Sequence, residues 1–163
     1  MVVSSLAQPK HDHVWKTGYG NFDSNKYLGN STIDFNADVI KISADSIRMT
    51  AVGANAAICD KNGKFICNTA GYWLENENAE IIEGSKNLAC LQDSTLIKYL
   101  NKTGNFGGFQ CVLMLPTPTK EEEEFHVIGF STDSLGDYVD DITAARVDYR
   151  NGKIEIAEKC KLA

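Results

Sequence analysis

The sequence predicts an all-β fold, built of antiparallel hairpins and small sheets. Three observations support this. The first is a repeated frame: "ANAAICDKNGKFIC" at 54–67 and "TAARVDYRNGKIEI" at 143–156 both run Ala-Ala, two residues, Asp, then, after one residue in the first and two in the second, Asn-Gly-Lys and an apolar residue. Asn-Gly between short apolar segments marks a tight hairpin, because both turn positions tolerate positive φ. The second is a series of short segments rich in Ile, Val, Phe, Tyr and Thr, separated by Gly, Asn, Asp and Pro. The third is the near absence of helical periodicity.

The repeated frames also predict register. A two-residue turn at Asn151-Gly152 sets Arg150 opposite Lys153, Tyr149 opposite Ile154, Asp148 opposite Glu155 and Val147 opposite Ile156. Val147, Tyr149, Ile154 and Ile156 then share one face and the two acids the other, which describes a half-buried outer hairpin. The same turn at Asn62-Gly63 puts Ile58, Asp60, Phe65 and Cys67 on one face and Ala57, Cys59 and Ile66 on the other. Both faces are apolar, so this hairpin is expected to lie deeper.

In chain order, strands are expected at 13–19, 31–35, 38–50, 55–60, 64–68, 70–75, 107–115, 125–131, 142–149 and 153–158. Leu88 to Leu100, apolar at 88, 91, 96, 97 and 100, fits a helical turn or a packed coil equally well. Residues 76–87 and 101–108 read as connections. "PTPTKEEEE" at 116–124 reads as a solvated loop tip, since consecutive carboxylates on extended chain alternate sides and repel.

The chain has 163 residues, 43% of them apolar, enough for one domain with a core. Sixteen Lys and Arg against 22 Asp and Glu give a net charge of -6 without a basic run, so nucleic acid is not an expected partner. No apolar run approaches the roughly 20 residues of a membrane-spanning helix. Residues 1–12 read as a residual signal segment or a flexible N-terminus, and 13–163 as the β-rich domain. The five cysteines, 59, 67, 90, 111 and 160, leave free thiols, disulfides and a metal open. A two-residue turn would point Cys59 and Cys67 to opposite faces; only a three-residue loop would bring them diagonally near.

"VWKTGY" (14–19), "YLGNSTIDFN" (27–36), "ANAAICDKNGKFICNTAGYWLENENAEIIEGSKNL" (54–88), "QCVLMLPTPTKEEEEFHVIGFS" (110–131) and "AARVDYRNGKIEIAEKCKL" (144–162) follow one another in a suggestive order. The order resembles the N-terminal part of secreted, sorting-signal-bearing proteins of Bacteroidetes, a β-propeller-like region with no settled activity. The resemblance implies two to three propeller-like blades, with an open β-sandwich as the alternative, and residues 13–163 as part of a larger propeller-like domain. It also implies secretion or display at a bacterial cell surface.

No catalytic centre stands out. The chain has no Gly-x-Ser-x-Gly elbow, no CxxC, and no cysteine with a histidine close in sequence. His126, between Phe125 and Val127, reads as a sheet-face or core histidine. No cofactor or metal is expected; were a metal present, the residues to hold it would be His11, His13, Asp133 and Asp137. Trp15, Tyr72 and Trp73 are the candidate binding aromatics. The expected function is a β-rich interaction or adhesion module without catalysis, binding a protein or glycan at the cell surface or the remaining blades of a parent chain. The alternatives are a structural fragment of a larger surface protein and a carbohydrate-active hydrolase with paired carboxylates in an aromatic-lined cleft. For the fold, far-ultraviolet circular dichroism is expected to show a β-dominated spectrum; a helical content above about one third would contradict the hairpin reading.

Overall fold

The computed structural model of the chain describes residues 9–18, 29–45, 47–51, 53–88, 90–91, 94–105, 112–120, 123–132, 139–150 and 153–162. Among the described residues ten strands and one helix form, in the order β1 (Val14–Gly18), β2 (Asn30–Asp34), β3 (Lys41–Asp45), β4 (Ala56–Cys59), β5 (Phe65–Thr69), β6 (Leu74–Glu75), α1 (Ser94–Thr103), β7 (Val112–Pro116), β8 (Glu124–Thr132), β9 (Val139–Arg150) and β10 (Lys153–Leu162). They make three separate sheets, ordered β1-β2-β3, β4-β5-β6 and β10-β9-β8-β7. Every strand pair is antiparallel.

The all-β expectation holds, and the propeller expectation is corrected. None of the three sheets curls or closes. The four-stranded sheet lies over the β4-β5-β6 sheet, and Val112, Phe125, Val127, Ala145 and Val147 from the first share one core with Ile58, Ile66, Cys67 and Leu74 from the second. Two sheets that bury facing sides in a common layer form an open sandwich. A blade-by-blade ring is not what these strands build.

The second hairpin has the register its sequence dictates: Lys153 pairs Arg150, Ile154 pairs Tyr149, Glu155 pairs Asp148 and Ile156 pairs Val147. The Asn151-Gly152 turn itself lies outside the described residues. The first hairpin agrees at Ala56↔Thr69, Ala57↔Asn68 and Ile58↔Cys67, then slips so that Cys59 pairs Phe65. Asp60 causes the slip. Its backbone N–H donates to Lys64 O (2.8 Å), and its Oδ1 accepts from the N–H groups of Asn62 (2.8 Å) and Lys64 (2.9 Å). That closes a three-residue loop, Lys61-Asn62-Gly63, in place of the two-residue turn, with Gly63 at φ 85°. A Cβ at Gly63 would run into the Asn36 side chain, whose Nδ2 donates to Gly63 O (2.8 Å).

The extra residue is Ile66, bulged out of the ladder, and a bulge turns neighbouring side chains to one side. Ile66 therefore joins Ile58 and Cys67 in the sandwich core instead of opposing them. Phe65 instead lies beneath Lys16 of β1, whose Nζ is 4.7 Å from the ring centroid. The hairpin is buried on both sides, as expected. Cys59 and Cys67 are free thiols, so the loop that brings them together does not bridge them.

A second core forms beneath α1 from Ile47, Met49, Ala51, Ala70, Tyr72, Trp73 and Leu100. The expected strand at 38–50 thus ends at Asp45, and 47–51 is core-filling irregular chain; the expected strand at 70–75 shrinks to Leu74–Glu75. The undecided segment 88–100 contributes a true helix. Gly104 stops it at φ 66°, its N–H donating to Leu100 O (2.8 Å). A Cβ there would meet the Trp73 ring at 2.5 Å. The four-glutamate stretch is also corrected in part, because Glu124 is buried at the start of β8 and is no loop tip.

Ile66→Ala and Ile58→Ala are expected to cost about 2–5 kcal/mol in denaturant melts, and Ile154→Ala, at the half-buried hairpin, less. A loss at Ile154 equal to that at Ile66 would contradict the depth difference between the two hairpins. Burial pushes the Cys59 thiol up to about 11, against the downward pull of the Val14 and His13 N–H groups. A raised folded-state pKa leaves its stability contribution intact below the unfolded value of 9.0 and removes it as pH rises toward 11. Stability should therefore fall across that window more steeply for the native chain than for Cys59→Ser, measured by melts from neutral pH upward.

Candidate functional cleft

The two hairpins that share a sequence frame converge on one cleft. It measures about 230 Å3, and its walls are Asp60, Lys64, Phe65 and Ile66 from the first hairpin and Tyr149 and Ile154 from the second. Asn76, Glu77 and Asn78, in the turn after β6, close the third side. That volume falls below the ~300–1,000 Å3 of sites for drug-sized ligands, and suits one ring-sized group.

Each wall is fixed by local chemistry. Asp60 is held by the two backbone N–H groups that close the first loop, so its carboxylate is a pre-set acceptor. Phe65 is clamped from behind by Lys16, which is 5% exposed and ion-paired to Asp45 at 2.8 Å. Lys16 Nζ also reaches Glu77 O (3.5 Å), tying the third wall to β1. Asn76 organises its turn by accepting from the N–H groups of Asn78 (2.9 Å) and Glu80 (3.0 Å) through Oδ1. Tyr149 sits on β9, its N–H donating to Glu123 O (2.7 Å). Burial, and secondarily the Asp60 carboxylate, raises the Tyr149 phenol, which therefore stays protonated and able to donate.

The aromatics singled out in the sequence lie elsewhere. Tyr72 and Trp73 are each 1% exposed and pack edge to face at 5.8 Å in the second core, so neither ring meets solvent. Trp73 Nε1 donates to Glu75 Oε1 (2.8 Å). Trp15 is 51% exposed, packs edge on against Phe35 at 5.3 Å, and donates to Asp12 O (2.8 Å). It borders a separate groove of about 440 Å3 with Asn55, Ala56, Ala57, Val112, Leu113 and Met114.

The histidines of the N-terminal segment are part of the fold. His11 Nδ1 lies 2.8 Å from Cys59 O, and His11 O accepts from Cys59 N–H (2.8 Å), while His13 O accepts from Phe35 N–H (2.8 Å). The hydrogen-bonded structure thus begins before residue 12, with Lys10 N–H donating to Lys61 O (3.3 Å). Asp133 and Asp137 lie outside the described residues. Among the described residues no group of three His, Cys, Asp or Glu side chains is placed to hold a metal ion. Likewise, no described helix is long and apolar enough to cross a membrane.

His126 lies on the outer face of β8, between Leu115 of β7 and Arg146 of β9. Beside it, Glu124 gathers Lys120 (3.3 Å), Arg146 (3.5 Å) and His126 (3.9 Å). Burial opposes its charge, but Thr117, Lys120 and Arg146 together hold the carboxyl below its ordinary value. This is a structural ion cluster on a sheet face.

No family model, no curated protein and no solved structure matches the chain. With open sheets in place of curled blades, the resemblance to the Bacteroidetes proteins is set aside.

Proposed function

We propose that this chain is a β-rich interaction module that binds a neutral, hydroxyl-bearing group, of the size of one sugar ring, in the cleft between its two Asn-Gly hairpins. The reading is carried by the convergence of a protonated phenol at Tyr149, a fixed acceptor at Asp60 and the Phe65 ring in one space of about 230 Å3. Aromatic rings give a sugar an apolar face to stack on, and the carboxylate and amides of the rim supply directional acceptors and donors. Glu77, Asn78 and Lys64 stand at the rim, where a longer glycan or the polar tip of a protein loop would extend.

The walls suit holding better than turnover. Asp60 Oδ1 already accepts two backbone N–H groups, which anchors the loop and leaves that atom committed to structure. A small, partly open cleft also predicts modest affinity, with dissociation constants in about the millimolar to micromolar range.

Saturation-transfer NMR against a panel of mono- and disaccharides is expected to show contacts from at least one, lost in Tyr149→Ala and weakened about ten-fold or more in Asp60→Asn. A panel without binders, or binding unchanged by Tyr149→Ala, would overturn the reading. Hydrolysis of a glycoside abolished by Glu77→Gln would replace binding with catalysis.

A further inference from the structure

Strand β3 forms one edge of its sheet: β2 covers one side, and among the described residues no strand pairs with the other. Its sequence, Lys41-Ile42-Ser43-Ala44-Asp45, is exposed from Lys41 through Ala44. Ile42 is 71% exposed, and just before it Val39 and Ile40 are 73% and 56% exposed. Three large aliphatic side chains in four residues, at an uncovered strand edge, form a template for pairing with another strand.

The same five residues are self-complementary when run antiparallel. We propose that two copies of this chain join through β3, about a two-fold axis at Ser43, into one continuous six-stranded sheet. In that register Lys41 lies opposite the second copy's Asp45, Ser43 opposite Ser43, and Ile42 opposite Ala44. The interface is isologous, so the charge pair forms twice.

Alternation places the side chains consistently. Trp15, Ile33 and Ile42 pair across β1, β2 and β3 and share one face; Lys41, Ser43 and Asp45 share the other. The apolar row then continues from Ile42 to Ala44 of the second copy. On the charged face, Asp45 already takes Lys16 at 2.8 Å and the Thr32 hydroxyl, and a carboxylate has acceptor capacity for a further cation. Sliding the pairing by two residues, to set Ile42 against Ile42, would put Lys41 opposite Ser43 and forfeit the Lys41–Asp45 pairing across the seam. Aliphatic contact supplies the attraction, and the charges choose the register. A seam of five residues per copy is small, so the dimer is of the weak class, with a dissociation constant of about 1–100 µM.

Two measurements test this on the full chain. Sedimentation velocity over a concentration series should show a monomer–dimer equilibrium. It should shift toward monomer by about ten-fold or more in Lys41→Asp, which sets two carboxylates face to face, and further in Ile42→Lys. Both positions are exposed, and circular dichroism checks that each variant is folded. For the register, Ser43→Cys should form a disulfide-linked dimer on mild oxidation, because two-fold pairing places the new thiols opposite each other, whereas Ala44→Cys, opposite Ile42, should not. A native chain that stays monomeric at the highest concentration, or a dimer insensitive to both charge and Ile42 changes, overturns the proposal. Cross-linking of Ala44→Cys equal to that of Ser43→Cys overturns the register.

Discussion

The fold depends on the β4–β5 hairpin having no polar face to give to water. Ile58, Cys59, Ile66, Cys67, Asn68 and Thr69 are all buried. A two-stranded ribbon buried on both sides must be covered twice. The four-stranded sheet covers one side through Val112, Phe125, Val127, Ala145 and Val147. On the other, Phe65 lies beneath Lys16, and the N-terminal segment bonds Cys59 through His11. Without the Ile66 bulge, Ile66 would point toward β1, and the sandwich would lose a side chain from the centre of its core.

Buried polar groups then fix how the second core joins the first. Glu75, at 0% exposure, accepts from the backbone N–H groups of Arg48 (2.9 Å) and Met49 (2.7 Å) and from Trp73 Nε1 (2.8 Å). Burial raises its pKa, and those three donors work against the rise. One carboxylate thereby satisfies two backbone donors of an irregular, buried segment that has no ladder of its own. Thr69 does the same for Gly71 N–H at 2.9 Å, and Ser85 accepts from Leu74 N–H of the short strand β6 at 3.1 Å. Core chain without secondary structure is stable here because acids and hydroxyls replace the missing strand partners.

Much of this was legible where local chemistry decides and hidden where distant residues do. The β9–β10 register follows from Asn-Gly and alternation alone, and the structure matches it pair for pair from Arg150↔Lys153 to Val147↔Ile156, beyond which the ladder shifts by one residue. At the first hairpin the same rule failed past Ile58, because Asp60, one residue before Lys61-Asn62-Gly63, offers its side chain to two N–H groups and so selects a longer loop. That signal was present in the sequence as Asp two residues before Asn. The fate of Tyr72 and Trp73 was not: "AGYWLE" does not say whether its rings face solvent, and it takes Gly104 and Met49, remote in the chain, to place Trp73 inside, where the nearby Glu75 accepts its Nε1–H. Glu124 likewise sits in a run of four glutamates with nothing local to show that Arg146 would reach it. The cleft had an indirect signal, since the repeated frame named both hairpins, but their meeting is a tertiary fact.

Cleft and β3 edge draw on the same β1 strand in different ways. Lys16 faces inward, supporting Phe65 and Glu77 of the cleft while its ammonium pairs with Asp45 at the β3 edge. Trp15, its neighbour, faces outward with Ile33 and Ile42. Period-two alternation thus turns a cleft support and a solvent-exposed ring to opposite faces from adjacent residues of one strand. Asp45 couples the cleft and the β3 edge: a second cation drawn to that carboxylate weakens its hold on Lys16, and Lys16 is what clamps the Phe65 ring. Ligand binding that tightens the Phe65 wall and pairing that recruits Asp45 therefore act on one ion pair from opposite ends, and by linkage any effect of one on the other is reciprocal.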